Sequence, residues 1–229
     1  MIASVIKAAS AAFLLFALLL SVPAAPAFAQ QANEQERALI QAAERGEIVV
    51  VRRLLSDARI NARDQRGRTA LLAATQRNQV EVARFLIQEG ADVNAKDFIQ
   101  DTPFLYAAAE GRLEILKLAL AAGPDLKDVN RYRGTALIPA AHRGHVEIVR
   151  LLLATPINKD HVNNLGWTAL LEAVVLGDGG PAHTEIVRLL VQAGANVNIP
   201  DRDGSTALTH ARQRNYSAMV RLLSDAGAR

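Results

Sequence analysis

The side chains best suited to chemistry are five histidines, His142, His145, His161, His183 and His210, together with Glu172 and with Asp178 in a glycine-rich stretch. His142 and His145 stand three residues apart, a separation that can bring two imidazoles to one metal. They fall at the end of one expected helix and in the loop after it, where a structural role is the simpler reading. Glu172, Asp178 and His183, with His142 beside them, define an alternative: a small-ligand or metal-binding region. Glu172 is a solitary acid, so the paired carboxylates of general acid–base chemistry are missing. Phosphate-loop, dinucleotide, His-Glu-x-x-His and Gly-x-Ser-x-Gly patterns are absent, and Gly177-Asp178-Gly179-Gly180 has the wrong glycine spacing for a phosphate cradle. The chain has no cysteine, which removes disulfides, thiolate metal sites, a thiol nucleophile and a lipoprotein anchor. No catalytic residue, metal or cofactor is therefore expected, and the chain does not read as an enzyme.

The elements that position these residues repeat. Threonines recur at Thr69, Thr102, Thr135, Thr168 and Thr206, the first three intervals being 33 residues and the last 38. Each opens a similar stretch, such as Thr69-Ala70-Leu71 or Thr168-Ala169-Leu170. A second pattern follows about twelve residues on: Val80-Glu81-Val82, Leu113-Glu114-Ile115, Val146-Glu147-Ile148 and Glu185-Ile186-Val187. Its apolar residues fall at helical spacing and give a buried stripe. Its Glu and Arg or Lys, three positions apart, belong to the solvated face and contribute about 0.2–0.5 kcal/mol per pair. Gly90, Gly123, Gly194 and Gly227 then end the second helix.

These residues resemble the ankyrin repeat over roughly Glu34 to Arg229, with five matches in register. The resemblance implies an all-α fold: a solenoid of about six helix-turn-helix units with hairpin-like connecting turns. The units are expected at about 34–64, 65–97, 98–130, 131–163, 164–201 and 202–229, the first and last acting as caps. The histidine usual after Thr-x-Leu is replaced by Leu72, Leu105, Ile138, Leu171 and Thr209, so its hydrogen-bond bracing between units is expected to be absent and apolar packing to take over. Pro156 stands where other units have glycine, so the loop at 154–158 must turn differently. The five extra residues of the fifth unit fall between its helices, within 176–184, as a long loop that either contacts a partner or is a tolerated insertion. Its Gly-Trp-Thr and Asp-Gly-Gly elements resemble those of small bacterial ankyrin proteins.

The resemblance also implies partner binding on a concave surface formed by hairpin tips and first helices. Carried across, the contact positions are Gln65, Arg66 and Arg68; Phe98, Ile99 and Asp101; Arg131 and Tyr132; Asn164, Leu165 and Trp167; Arg202, Asp203 and Ser205; and Gln76, Arg77, His142 and Arg143. Phe98, Tyr132 and Trp167 occupy successive hairpins, with Arg131 and Arg133 flanking one of them, and these types are common at interface hot spots. Glu172 is expected to face the concave side, where it either accepts a partner's hydrogen bond or pairs with His210 or His142. The expected partner-binding set is Phe98, Asp101, Arg131, Tyr132, Arg133, His142, Arg143, Leu165, Trp167, Glu172 and Asp178. At the N-terminal end Arg52, Arg53, Arg59, Arg63, Arg66 and Arg68 form a basic face that solubilises a cap or steers an acidic partner.

Lys7, the apolar run Ala8 to Val22 and the small-x-small motif Ala27-Phe28-Ala29 read as a cleavable secretory signal over residues 1–29, leaving 30–229 as the repeat domain. The run is shorter than the roughly 20 residues that span a bilayer, and Pro23 and Pro26 disfavour helix near the cleavage site. A periplasmic location follows, with no integral membrane segment after cleavage and another protein, a periplasmic enzyme or envelope protein, as partner. The net charge of +3 falls to +2 on losing Lys7, too small an excess to suggest nucleic acid.

Overall fold

Each threonine of the period precedes a helix, and four of the five cap it. The hydroxyl oxygens of Thr69, Thr102, Thr168 and Thr206 accept from the backbone N–H three residues on, at 3.0–3.4 Å, filling one of the donors that a helix N-terminus leaves free. The computed structural model describes residues 25–56 and 58–229, with twelve helices among them. They pair as α1 (Ala25–Arg45) with α2 (Ile48–Leu55), α3 (Ala70–Gln76) with α4 (Val80–Gln88), and α5 (Pro103–Ala109) with α6 (Leu113–Ala121). Then come α7 (Leu137–His142) with α8 (Val146–Leu153), α9 (Ala169–Val175) with α10 (Pro181–Gln192), and α11 (Ala207–Gln213) with α12 (Ser217–Asp225). The expected signal segment lies outside the described residues as far as Ala24. Helix α1, as described from Ala25, runs through Pro26 and the expected cleavage motif Ala27-Phe28-Ala29.

First helices pack on first helices and second on second along the whole array. Alanines such as Ala73, Ala74, Ala107, Ala108, Ala140 and Ala141 let the backbones approach, and Leu86, Leu152, Leu190 and Leu223 fill the space behind them. Truncating such a leucine to alanine costs about 2–5 kcal/mol. The Glu–Lys and Glu–Arg pairs Glu114–Lys117, Glu147–Arg150 and Glu185–Arg188 lie on the exposed faces of the second helices, as their spacing implies.

The hairpins are built on a residue that recurs with the same period: Asp64, Asp97, Asn130, Asn163 and Asp201. Each Oδ1 accepts from the backbone N–H groups two and four residues on. Each backbone N–H donates to the carbonyl four residues on. The fourth hairpin position is left-handed, and glycine fills it at Gly67, Gly166 and Gly204. Gln100 (φ 67°) and Arg133 (φ 56°) adopt the same conformation in the two middle hairpins, at a cost of about 1 kcal/mol each.

At the position of the missing histidine Leu72, Leu105, Ile138 and Leu171 are buried and contribute packing, as expected, and hydrogen-bonded bracing between units comes from a different position that the sequence reading does not foresee. The residue ten after Thr69, Thr135 and Thr206, and fifteen after Thr168 where the insertion intervenes, reaches the preceding unit, whereas Arg112, ten after Thr102, makes no such bond. Gln79 Nε2 donates to Glu44 O, and Tyr216 OH to Gly177 O. His145 Nε2 bonds Ala109 O, and His183 Nε2 bonds His142 O. In the return loops Asn61, Asn94, Asp160 and Asn198 accept from the backbone N–H of Asp92, Asp125, Asn196 and Arg229. At Pro156 the helix end does turn differently: Thr155 Oγ1 donates to Leu152 O at 2.6 Å and accepts from Ile157 N.

The insertion is not a long loop. Three of its residues, Pro181 to His183, extend α10 at its N-terminus to 12 residues. Asp178 folds the remainder, accepting from Gly180 N at 2.8 Å. A Cβ on Gly179 (φ 73°) would lie 2.4 Å from the Tyr216 ring, so a residue with a side chain cannot replace it without displacing the next unit.

Unit four departs from the capping pattern because of Pro139. In the other units the residue four after the threonine donates its N–H to the threonine carbonyl. Pro139 has no N–H, so Ile138 N takes Thr135 O instead, and the buried Thr135 Oγ1 has no partner. Pro139→Ala should restore the fourth-residue bond and the side-chain cap, raising stability by about 1 kcal/mol in denaturant melts. Arg133→Gly should stabilise by about 1 kcal/mol in the same assay by relieving the left-handed strain.

Candidate functional site

Side chains four and eight residues after each threonine, together with the third hairpin position, converge on the concave side. There they enclose an open groove of about 590 Å³. Ile99, Tyr132 and Leu165 are the third hairpin residues of three consecutive units, 52%, 52% and 46% exposed. Tyr106, Pro139 and Glu172 come from the first helices at one shared position, and Glu110, Arg143 and Leu176 from their C-terminal ends.

Among the expected site residues, Asp101, Arg131, Tyr132, His142, Arg143, Leu165 and Glu172 line this groove. Phe98, Arg133, Trp167 and Asp178 do not. Phe98, Tyr132 and Trp167 occupy three different hairpin positions, so they form no continuous row. The Phe98 ring covers Gly67 of the preceding hairpin. Trp167 is half-buried against the core. Arg133 is exposed at a tip, where its carbonyl accepts from His161 Nε2 at 2.7 Å. Asp178 binds His183 Nδ1 at 2.8 Å on the edge of the insertion. Glu110, Ile138, Pro139 and Leu176 are groove residues that choosing aromatic and arginine types misses, and Tyr106 is an aromatic on a first helix that looking for aromatics only in the hairpins misses. Their fixed offsets from the threonines are the signal that reveals them.

Charges in the groove are mostly matched. Arg131 Nη1 lies 3.6 Å from Asp101 Oδ2, and its guanidinium sits 5.3 Å from the Tyr132 ring centroid. Arg143 pairs with Glu110 and donates to Ala109 O. One step along the array Arg77 pairs with Glu44 at 3.2 Å. Burial pushes the Asp101 carboxyl up, with Arg131 partly opposing it, and burial also pushes the Tyr106 phenol up.

Glu172 is the exception. It is 4% exposed, its Oε1 accepts from Asn163 Nδ2 at 2.9 Å, and its Oε2 lies 3.4 Å from His142 Nδ1. Its expected pairing is thus with His142; His210 instead bonds Asp201 at 2.6 Å. Burial raises the Glu172 carboxyl to about 7, against the opposing hydrogen bond from Asn163. Burial, Arg143 and His183 push the His142 imidazole down. Near neutrality the contact is therefore not a full ion pair.

The alternative metal reading is not supported: among the described residues no group of three His, Cys, Asp or Glu side chains is placed to hold an ion. The basic N-terminal face is also largely consumed internally. Arg59 pairs with Glu36, and Arg68 with Asp64 and Glu44. Arg63 binds backbone carbonyls, and Arg52 stacks on Phe85.

Because the folded carboxyl of Glu172 titrates near 7 and an unfolded one near 4.5, the native state holds this proton more tightly. Stability contributed at low pH is lost as pH rises from about 4.5 through 7, at a cost on the order of 2 kcal/mol once groove solvent is allowed for. Glu172→Gln should be more stable than the parent by about that amount in urea melts at about pH 8, with the difference vanishing near pH 5.

A family model described as "Ankyrin repeats (3 copies)" matches residues 5–97, 104–201 and 161–229, and one described as "Ankyrin repeats (many copies)" matches residues 77–120. A crystal structure of an ankyrin repeat domain from Acinetobacter baumannii AYE is 55% identical, covering 83% of this chain and 98% of that one, with a TM-score of 0.81. The ankyrin repeat protein EF0377 is 41% identical, with coverage of 82% and 97% and a TM-score of 0.80. The putative ankyrin repeat protein YahD of Escherichia coli (strain K12) is 44% identical over 57 residues, which span 25% of this chain and only 28% of that protein. On the stacked helix pairs and these matches, the chain belongs to the ankyrin-repeat family.

Proposed function

We propose that this chain is a periplasmic adaptor that grips a partner protein in the concave groove, with Ile99, Tyr132 and Leu165 as its apolar contacts. Ankyrin-repeat domains are non-catalytic modules that bind other proteins. The observation that selects the groove is where the exposed apolar side chains lie. Of the seven large hydrophobic residues exposed among the described residues, four, Ile99, Tyr132, Leu165 and Leu176, line this one depression. Concentrated apolar surface rimmed by polar groups is the physical mark of an interaction site. The hairpins of Gln100 and Arg133 bear on it as well, since both keep a side chain in a backbone conformation that glycine would adopt more easily. Strain retained at the rim of a groove is a feature of functional surfaces.

Export rests on Lys7, the apolar run and the Ala27-Phe28-Ala29 motif. An exported, cysteine-free adaptor would meet a periplasmic enzyme or an envelope protein. A photo-crosslinking residue placed at Tyr132 or Leu165 in living bacteria should join the chain covalently to a second protein. The same group at Val49, exposed on α2 outside the groove, should not. Equal yields at all three positions, or none at the groove positions, would reject the groove. Fractionation should place the chain in the periplasm with Gln30 as its first residue; an intact N-terminus in the cytoplasm would reject export.

A further inference from the structure

The acids lining the groove differ in one respect. Asp101 has Arg131 and Glu110 has Arg143, whereas Glu172 has no arginine. The position that supplies Arg77, Arg143 and Arg214 in other units is occupied in the fifth by Leu176, exposed and facing the groove. Glu172 is nonetheless buried, and its Oε2 meets only an imidazole at 3.4 Å, beyond the 2.7–3.2 Å of a good hydrogen bond. The carboxyl thus keeps one oxygen weakly satisfied and still open to the groove, where a cation or a donor can join it.

We infer that the groove receives a basic side chain of the bound partner, an arginine or lysine, whose cationic head completes Glu172 and whose aliphatic stem lies along Tyr132, Leu165 and Leu176. This rests on the groove being the partner site. The stem matches the apolar walls, as long basic side chains commonly bury their methylenes. The other charged groups facing Glu172 leave the cation unopposed. From the third unit come Asp101 and Glu110, and from the fourth Arg131, His142 and Arg143. The first two acids and the two arginines cancel in pairs. Asn163, on the hairpin of its own unit, is neutral, and His183 of α10 bonds Asp178 and a carbonyl. A cation favours ionised Glu172, so binding displaces a proton below about pH 7 and weakens as the pH falls.

The probe is n-butylguanidinium, read against its uncharged isostere n-butylurea by NMR of side-chain-labelled glutamate in the 30–229 chain. Saturable movement of the Glu172 carboxyl signal is expected with n-butylguanidinium, about tenfold weaker near pH 6 than near pH 8. It should persist in Phe98→Ala, which lies outside the groove, and leucine and tyrosine signals of the groove should lose the response in Glu172→Gln. Equal binding of n-butylurea, an undiminished response in Glu172→Gln, or no saturable response at all would overturn the inference. Crosslinks at Tyr132 and Leu165 together with any of those results would sink the basic anchor and leave the groove standing. Absence of groove crosslinks would sink the reading beneath both.

Discussion

A helix pair this short cannot cover its own apolar side. Most of the helices here have between six and nine residues, below the length at which an isolated helix is stable in water. Leu71, Leu86, Leu137 and Leu152 are dry only because neighbouring units close over them. Stability therefore resides in the contacts between units, and every other feature of the molecule is constrained by the need to keep the units in step. Alanines at the first-helix contacts set the spacing. Gln79, His145, His183 and Tyr216 then tie that spacing to the preceding backbone, glutamine, histidine and tyrosine all performing the task.

The interchangeability of these braces explains what was legible in the sequence and what was not. The threonines could be read because one chemical act, capping, selects one residue type, and the period carried the helix pairs and their order with it. The brace is illegible because its chemistry asks only for a donor of the right reach, so no single letter recurs. The hairpin acceptors Asp64, Asp97, Asn130, Asn163 and Asp201 do recur, and alternate only between two residues with the same acceptor oxygen. In the sequence the insertion reads as a loop because five residues between two helices look like one. Proline at position 181 instead starts α10 early, since a helix N-terminus is where proline fits best.

For the groove, residue type was a weaker guide than register. Phe98, Tyr132 and Trp167 are all aromatic and lie in consecutive hairpins, yet they sit at three different positions, and only Tyr132 faces the concave side. Ile99, Tyr132 and Leu165 share one position and make the row. A solenoid converts sequence offset into direction, because each unit presents the same offset to the same side. Side chains spaced by the period are neighbours in space, and side chains in the same hairpin can point to opposite sides. Glu44, Arg77, Glu110 and Arg143 obey this rule as charges: they follow at 33-residue steps, and Glu44–Arg77 and Glu110–Arg143 are bonded.

That alternation breaks at the fifth unit, and the insertion lies next to the break. His183 joins the two: its Nδ1 meets Asp178 in the inserted segment and its Nε2 meets the carbonyl of His142. The ring of that same His142 stands against Glu172. The added residues thus do more than lengthen a connection, since they hold the helix end that supplies one wall of the Glu172 recess. Asn163 fits the same picture, because an aspartate at that hairpin position, as in units two, three and six, would repel the carboxylate it now satisfies. Two departures from the period, Leu176 and the insertion, meet around one buried acid that Asn163 satisfies.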